Sequence, residues 1–112
     1  MEYYERENGE RPAEEFILSQ GKKMQVKIFM ALELLEEMGP QLREPFSKSL
    51  GDGIFEVRAQ MGSDISRVLY FFVVGRKIIL TSGFVKKTQK TPPGEIDRAK
   101  RYRADHMSRE EA

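Results

Sequence analysis

Residues Ile54 to Thr91 read IFEVRAQMGSDISRVLYFFVVGRKIILTSGFVKKTQKT, and this run decides the fold. In Ile54 to Gln60, the apolar Phe55, Val57 and Ala59 alternate with Glu56, Arg58 and Gln60, which predicts a strand with one buried and one wetted face. Met61-Gly62-Ser63-Asp64 supplies the turn. The next run, Ile65 to Val74, is apolar on both faces apart from Ser66 and Arg67, as suits a central strand covered on both sides. Gly75-Arg76 reverses the chain into a third run, Lys77 to Val85, carrying Ile78, Ile79 and Leu80. These connections are too short for parallel crossovers, so the reading is an antiparallel meander.

Upstream, Tyr3 and Tyr4 are the apolar candidates of a very short first strand, and Asn8-Gly9 is a turn. Arg11 to Leu18 reads as a short helix with Pro12 at its first position and acidic residues in its first turn, opposing the helix dipole. From Lys22 to Met38, the residues Met24, Ile28, Ala31, Leu32, Leu35 and Met38 recur at spacings of three and four, the signature of an amphipathic helix. Gly39-Pro40 stops it. Gln41 to Gly53 looks irregular, anchored by Phe46 and Leu50, with Gly51-Asp52-Gly53 as the turn into the meander. Downstream, Thr91 is placed to cap a final helix with Pro92 at its first position. Ile96, Ala99 and Tyr102 would face inward, and residues 107–112 would fray. The expectation is one α+β domain over residues 1–112: an antiparallel sheet with two N-terminal helices packed on one face and a C-terminal helix. The helices would share that face, leaving the other partly open.

Composition narrows the function. With 112 residues and 39% apolar content the chain can bury a single core. It has no cysteine and one histidine, and its acidic residues show no convergent spacing, so no metal site and no cofactor are expected. No apolar run approaches the roughly 20 residues that cross a bilayer, and Glu2, Glu5 and Glu7 are the reverse of a signal peptide. A soluble cytoplasmic protein with no membrane partner is the expectation. Net charge is only +1, yet it is unevenly spread: Met1 to Glu44 balances at −4 and Pro45 to Arg109 at +7. The basic part is suited to phosphates, and the acidic part to a different partner.

Strand pairing around Gly62-Ser63 would set Arg58 close to Arg67. Lys86, Lys87 and Lys90 leave the third strand just before the Thr91 helix start. Together these form a basic patch beside a helix N-terminus, where amide groups and side-chain charge both favour phosphate. With Phe84 and Tyr70 as stacking surfaces, the patch fits an RNA backbone with an unstacked base.

The runs Ile54-Phe55-Glu56-Val57-Arg58, Ser66-Arg67-Val68-Leu69-Tyr70-Phe71-Phe72, Gly83-Phe84-Val85-Lys86-Lys87-Thr88-Gln89-Lys90-Thr91-Pro92 and Glu95-Ile96-x-x-Ala99 resemble the HigB branch of the RelE/ParE toxin superfamily. Asn8-Gly9-Glu10-Arg11-Pro12 and Glu15-Phe16 extend the resemblance over nearly the whole chain. It implies a small RelE-like fold and a type II toxin that enters the ribosomal A site and cleaves messenger RNA there without a metal, inhibiting translation. It also implies neutralisation by a cognate helix-turn-helix antitoxin, and contact with operator DNA only through the toxin–antitoxin complex. Carried over, the family's RNA-contacting basic positions are Arg58, Arg67, Lys86 and Lys87, taken here as catalytic, with Lys90 as a further RNA-binding position; the residues themselves add Phe84, Tyr70 and Thr91 to the RNA-binding set. Glu56, on the same face as Arg58, is a further candidate base, and His106, the one histidine, a further acid or base candidate, because Ser82 stands where several relatives have a histidine. Two alternatives stay open: a gyrase-inhibiting ParE-type toxin, and a non-cleaving relative that binds or regulates.

Overall fold

The computed structural model describes residues 1–74, 77–86 and 90–110. Among these residues, five strands and three α-helices follow in the order β1 (Glu2–Tyr3), α1 (Pro12–Leu18), α2 (Lys22–Met38), β2 (Ser47–Gly51), β3 (Ile54–Met61), β4 (Asp64–Val73), β5 (Lys77–Lys86) and α3 (Pro93–Glu110), with a single 3-10 turn at Gly39–Gln41 after α2. The strands lie in the order β1-β5-β4-β3-β2. The meander is antiparallel as expected, but the sheet is mixed, because β1 runs parallel to β5 through Glu2↔Ile79 and Tyr3↔Leu80. A fifth strand, β2, occupies part of the stretch expected to be irregular. It pairs with β3 through Ser47↔Val57, Lys48↔Glu56 and Ser49↔Phe55.

Alternation along β3, β4 and β5 divides the core in two. On one face Val57, Ala59, Val68, Tyr70, Ile78 and Leu80 meet the inward stripe of α1 and α2, made of Ala13, Ile17, Met24, Ile28, Leu32 and Leu35. On the other, Ile54, Leu69, Phe71 and Ile79 meet Ala99 of α3 and Tyr4. The expectation that all helices share one face therefore fails. Because α3 returns across the second face, β4 is covered on both sides, in keeping with its two-sided apolarity.

Two local contacts fix these layers. Gly83 of β5 has no room for a side chain: a Cβ there would sit 2.3 Å from Cδ2 of Phe16, so the ring of α1 rests directly on the strand. Asp52, at φ 52° in the β2–β3 turn, accepts from Arg103 of α3 through its carbonyl and, at 2.8 Å, through Oδ2. α3 begins at Pro93 rather than Pro92, with the Pro92 carbonyl accepting from Glu95 N at 3.0 Å. It continues through Met107 to Glu110, where Arg109 bonds back to the Glu5 carbonyl and to Asp105. Toward the β3–β4 turn, beyond Ile54 and Leu69, the same sheet face carries Glu56, Arg58 and Arg67.

Candidate functional site

Cross-strand partners share a sheet face, so the register assembles the site directly. Arg58 lies opposite Arg67, Arg67 opposite Phe84, and Ile65 opposite Lys86. On the other side, Glu56 lies opposite Lys48. Two like charges abreast on neighbouring strands repel. Glu56, two residues from Arg58 on the same face, resolves the repulsion. Its Oε2 accepts from Arg58 Nε at 2.5 Å and from Arg67 Nε at 3.1 Å, while Oε1 accepts from the Thr91 hydroxyl.

Burial makes this arrangement consequential. The Glu56 and Arg67 side chains are 0% exposed and Arg58 only 14%. A guanidinium stays charged at any ordinary pH, and burying it costs heavily unless a counter-charge and hydrogen bonds offset the lost hydration. Glu56 is that counter-charge, so the expectation of a wetted Glu56 face on β3 is overturned. Arg67 also points Nη1 at the Lys86 carbonyl at 3.5 Å, and its guanidinium stacks 5.6 Å from the Phe84 ring centre. Among the described residues, two cations and one anion give the cluster a net positive charge. Exposed Lys86, Lys48 and Lys90 extend that charge over the surrounding surface. Lys48 and Lys90 also border a cavity of about 350 Å³ with Ser49, Leu50, Thr91 and Ile96.

The structure thus brings together Arg58, Arg67, Glu56, Phe84, Lys86 and Thr91. Arg67 is enclosed, which leaves Arg58 as the arginine at the surface. Thr91 serves Glu56 rather than capping α3. Lys90 is exposed beside Thr91 on the β2 side. Lys87, a catalytic candidate, lies outside the described residues, as does the Gly75-Arg76 turn.

Two candidates sit elsewhere. Tyr70 points to the α1/α2 face, 1% exposed, with its hydroxyl 2.5 Å from Ser47 Oγ; burial pushes its phenol above the usual value. It cannot stack on a ligand bound at the arginines, and the even parity of position 70 against 67 is the reason. His106 packs edge-on against Phe71, with ring centres 5.8 Å apart. It lines a cavity of about 460 Å³ with Glu2, Glu5, Arg11 and Arg109 at the β1 edge, apart from the Glu56 cluster. Ser82 is fully buried, its hydroxyl 3.3 Å from that of Thr81. Among the described residues, no group of three or more acidic or histidine side chains is arranged to hold a metal ion.

Sequence reasoning missed Lys48 and misjudged Phe46. Phe46 is 50% exposed rather than an anchor, and its carbonyl accepts from Arg58 N at 2.9 Å, which prolongs the β2–β3 pairing. Ser47-Lys48-Ser49-Leu50-Gly51 carries no period of its own, so Lys48 is placed only by pairing with β3.

A family model described as phage-derived protein Gp49-like (DUF891) matches residues 15–104, a span that includes every member of the Glu56 cluster. No curated protein matches the chain.

Proposed function

Because the chain belongs to the Gp49-like phage-derived family, part of the RelE/HigB-type toxin–antitoxin group, we propose that it is a HigB-like toxin that cleaves messenger RNA on the ribosome. The observation that carries this reading is the arginine pair tied through one buried carboxylate, with Lys86 on the same face. That is a preorganised cationic centre.

The chemistry is attack of a ribose 2′-oxygen on the adjacent phosphorus. The P–O5′ bond breaks, leaving a 2′,3′-cyclic phosphate and a 5′-hydroxyl end. Arg58, at the surface, stabilises the charge that builds on the non-bridging oxygens. Lys86 protonates the departing 5′-oxygen. The proton of the 2′-hydroxyl leaves to solvent or to an acceptor in the ribosome–RNA complex, which also fixes the attack geometry. Both Glu56 oxygens are taken by three donors. Glu56 is therefore a positioning residue that aims Arg58, not the general base, and Arg67 acts through it. Lys48 and Lys90 hold the flanking backbone.

In this reading a helix-turn-helix antitoxin neutralises the protein in the cytoplasm, and operator DNA is met only through their complex. The test is induction of the chain in cells with mapping of messenger RNA 5′ ends. Growth arrest with cuts confined to translated messages supports the nuclease. Arrest without cuts points to a gyrase-type target, and neither arrest nor cuts to a binding protein.

A further inference from the structure

Beside the arginine cluster, toward the β3–β4 turn, lies a recess of about 350 Å³ lined by Pro45, Phe46, Arg58, Gln60 and Ile65. Its volume is at the small end for pockets that enclose organic ligands. Phe46 leaves half its surface in water beside the cationic centre. Gln60 donates Nε2 to the Gly62 carbonyl at 3.1 Å. Because that partner can only accept, it fixes which amide atom is the nitrogen. The Gln60 Oε1 is left as a pure acceptor. The recess therefore combines an aromatic face, an acceptor and the Arg58 guanidinium.

We propose that this recess is a nucleobase pocket that sets cleavage preference. The base next to the scissile phosphate stacks on Phe46 while Arg58 holds its phosphate, and the Gln60 oxygen accepts from the edge of the base. The acceptor favours adenine, cytosine or guanine, whose exocyclic amino group projects from the edge of the base, over uracil, whose edge donor, N3–H, is recessed between two carbonyl oxygens that repel an approaching acceptor. This inference rests on the nuclease reading for its biological meaning but makes a binding claim of its own. Phe46 also borders a second groove, of about 300 Å³, toward Met30 and Leu34 of α2, so a protein partner covering the same ring is the competing occupant.

The test has two arms. In the first, uncleavable 2′-O-methyl trinucleotides differing in the central base are titrated into the purified chain, followed by NMR at the Phe46 ring and the Gln60 side-chain amide. The expected result is larger shifts with amino-bearing bases than with uracil, and loss of that difference in Gln60→Leu. Equal shifts for all four bases, or none at Phe46, overturn the proposal. In the second arm, ribosomes programmed with messenger RNA are treated with wild type, Phe46→Ala and Gln60→Leu, each checked by thermal melting. Phe46→Ala should cut on the order of 10-fold more slowly, in line with alanine losses at base–aromatic stacks, and Gln60→Leu should cut with flattened base preference. Base-selective binding without any cutting by wild type would sink the nuclease reading and leave the pocket standing. Unchanged cutting by both variants would sink the pocket and leave the nuclease. Intact cutting combined with lost antitoxin neutralisation would assign Phe46 to the protein partner and overturn the proposal.

Discussion

Replacing Glu56 by Gln keeps the shape of the side chain and removes its charge, which isolates what the carboxylate does. In the native cluster it faces two guanidinium Nε groups, at 2.5 and 3.1 Å, and the Thr91 hydroxyl. The amide withdraws the Glu56 charge from Arg67, which stays charged and fully buried. Removing one partner of a buried pair costs roughly 3–5 kcal/mol. Arg58, 14% exposed, can recover some hydration, which places the loss near the lower end, about 3 kcal/mol. Against the ~5–15 kcal/mol that holds a domain together, this is large. With a urea slope of about 1–3 kcal/mol/M, the unfolding midpoint should fall by roughly 1–3 M at unchanged slope. The double variant Glu56→Leu with Arg67→Met should recover most of that loss, since apolar replacement of a buried pair is often near neutral. It should still fail to cleave, because Arg58 has lost its anchor. A Glu56→Gln midpoint equal to wild type, or a double variant less stable than the single, would refute the reasoning.

Tyr70→Phe should lower stability by about 1–2 kcal/mol, through loss of the buried bond to Ser47. It should leave RNA cleavage unchanged, and denaturant titration beside a cleavage assay checks both. Tyr4 is buried with its hydroxyl donating to Asp105 at 2.6 Å, and burial first, then that carboxylate, push its phenol up to about 12. The folded pKa lies above the unfolded value of about 10, so its contribution is intact below pH 10 and is lost as pH rises toward 12. Melting temperature across pH 9–12 should therefore fall less steeply in Tyr4→Phe than in wild type.

Much of the fold was legible where the sequence has a strong period. The alternation of Phe55, Val57 and Ala59 gave β3 to within a residue, and the three-and-four spacing from Met24 to Leu35 gave α2. Gly39-Pro40 ended that helix where expected. β2 was invisible because Ser47-Lys48-Ser49-Leu50-Gly51 has one large apolar residue, and its identity as a strand comes from pairing with β3. β1 is two residues long and exists only through a partner 77 positions away. The side taken by α3 was written in the two-sided apolarity of β4, yet it conflicts with a sheet open on one face.

The site was legible in part for the same reason. Arg67 in an apolar strand announced a buried cation in need of partners, and Arg58 followed from the register. That Glu56 is the partner could not be read from β3 alone, where alternation marks it as wetted. Only the juxtaposition with Arg67 and Thr91, which lies 35 positions away, buries it.

The most direct measurement of the central claim is the single-turnover rate of messenger RNA cleavage on programmed ribosomes, for wild type, Arg58→Ala and Lys86→Ala. If Arg58 stabilises the transition state, its loss should slow the cut by about 10²–10³-fold, the cost of removing one such donor, with Lys86→Ala also slowed and circular dichroism showing both variants folded at the assay temperature. Wild-type cleavage at a rate that neither substitution changes would contradict the account.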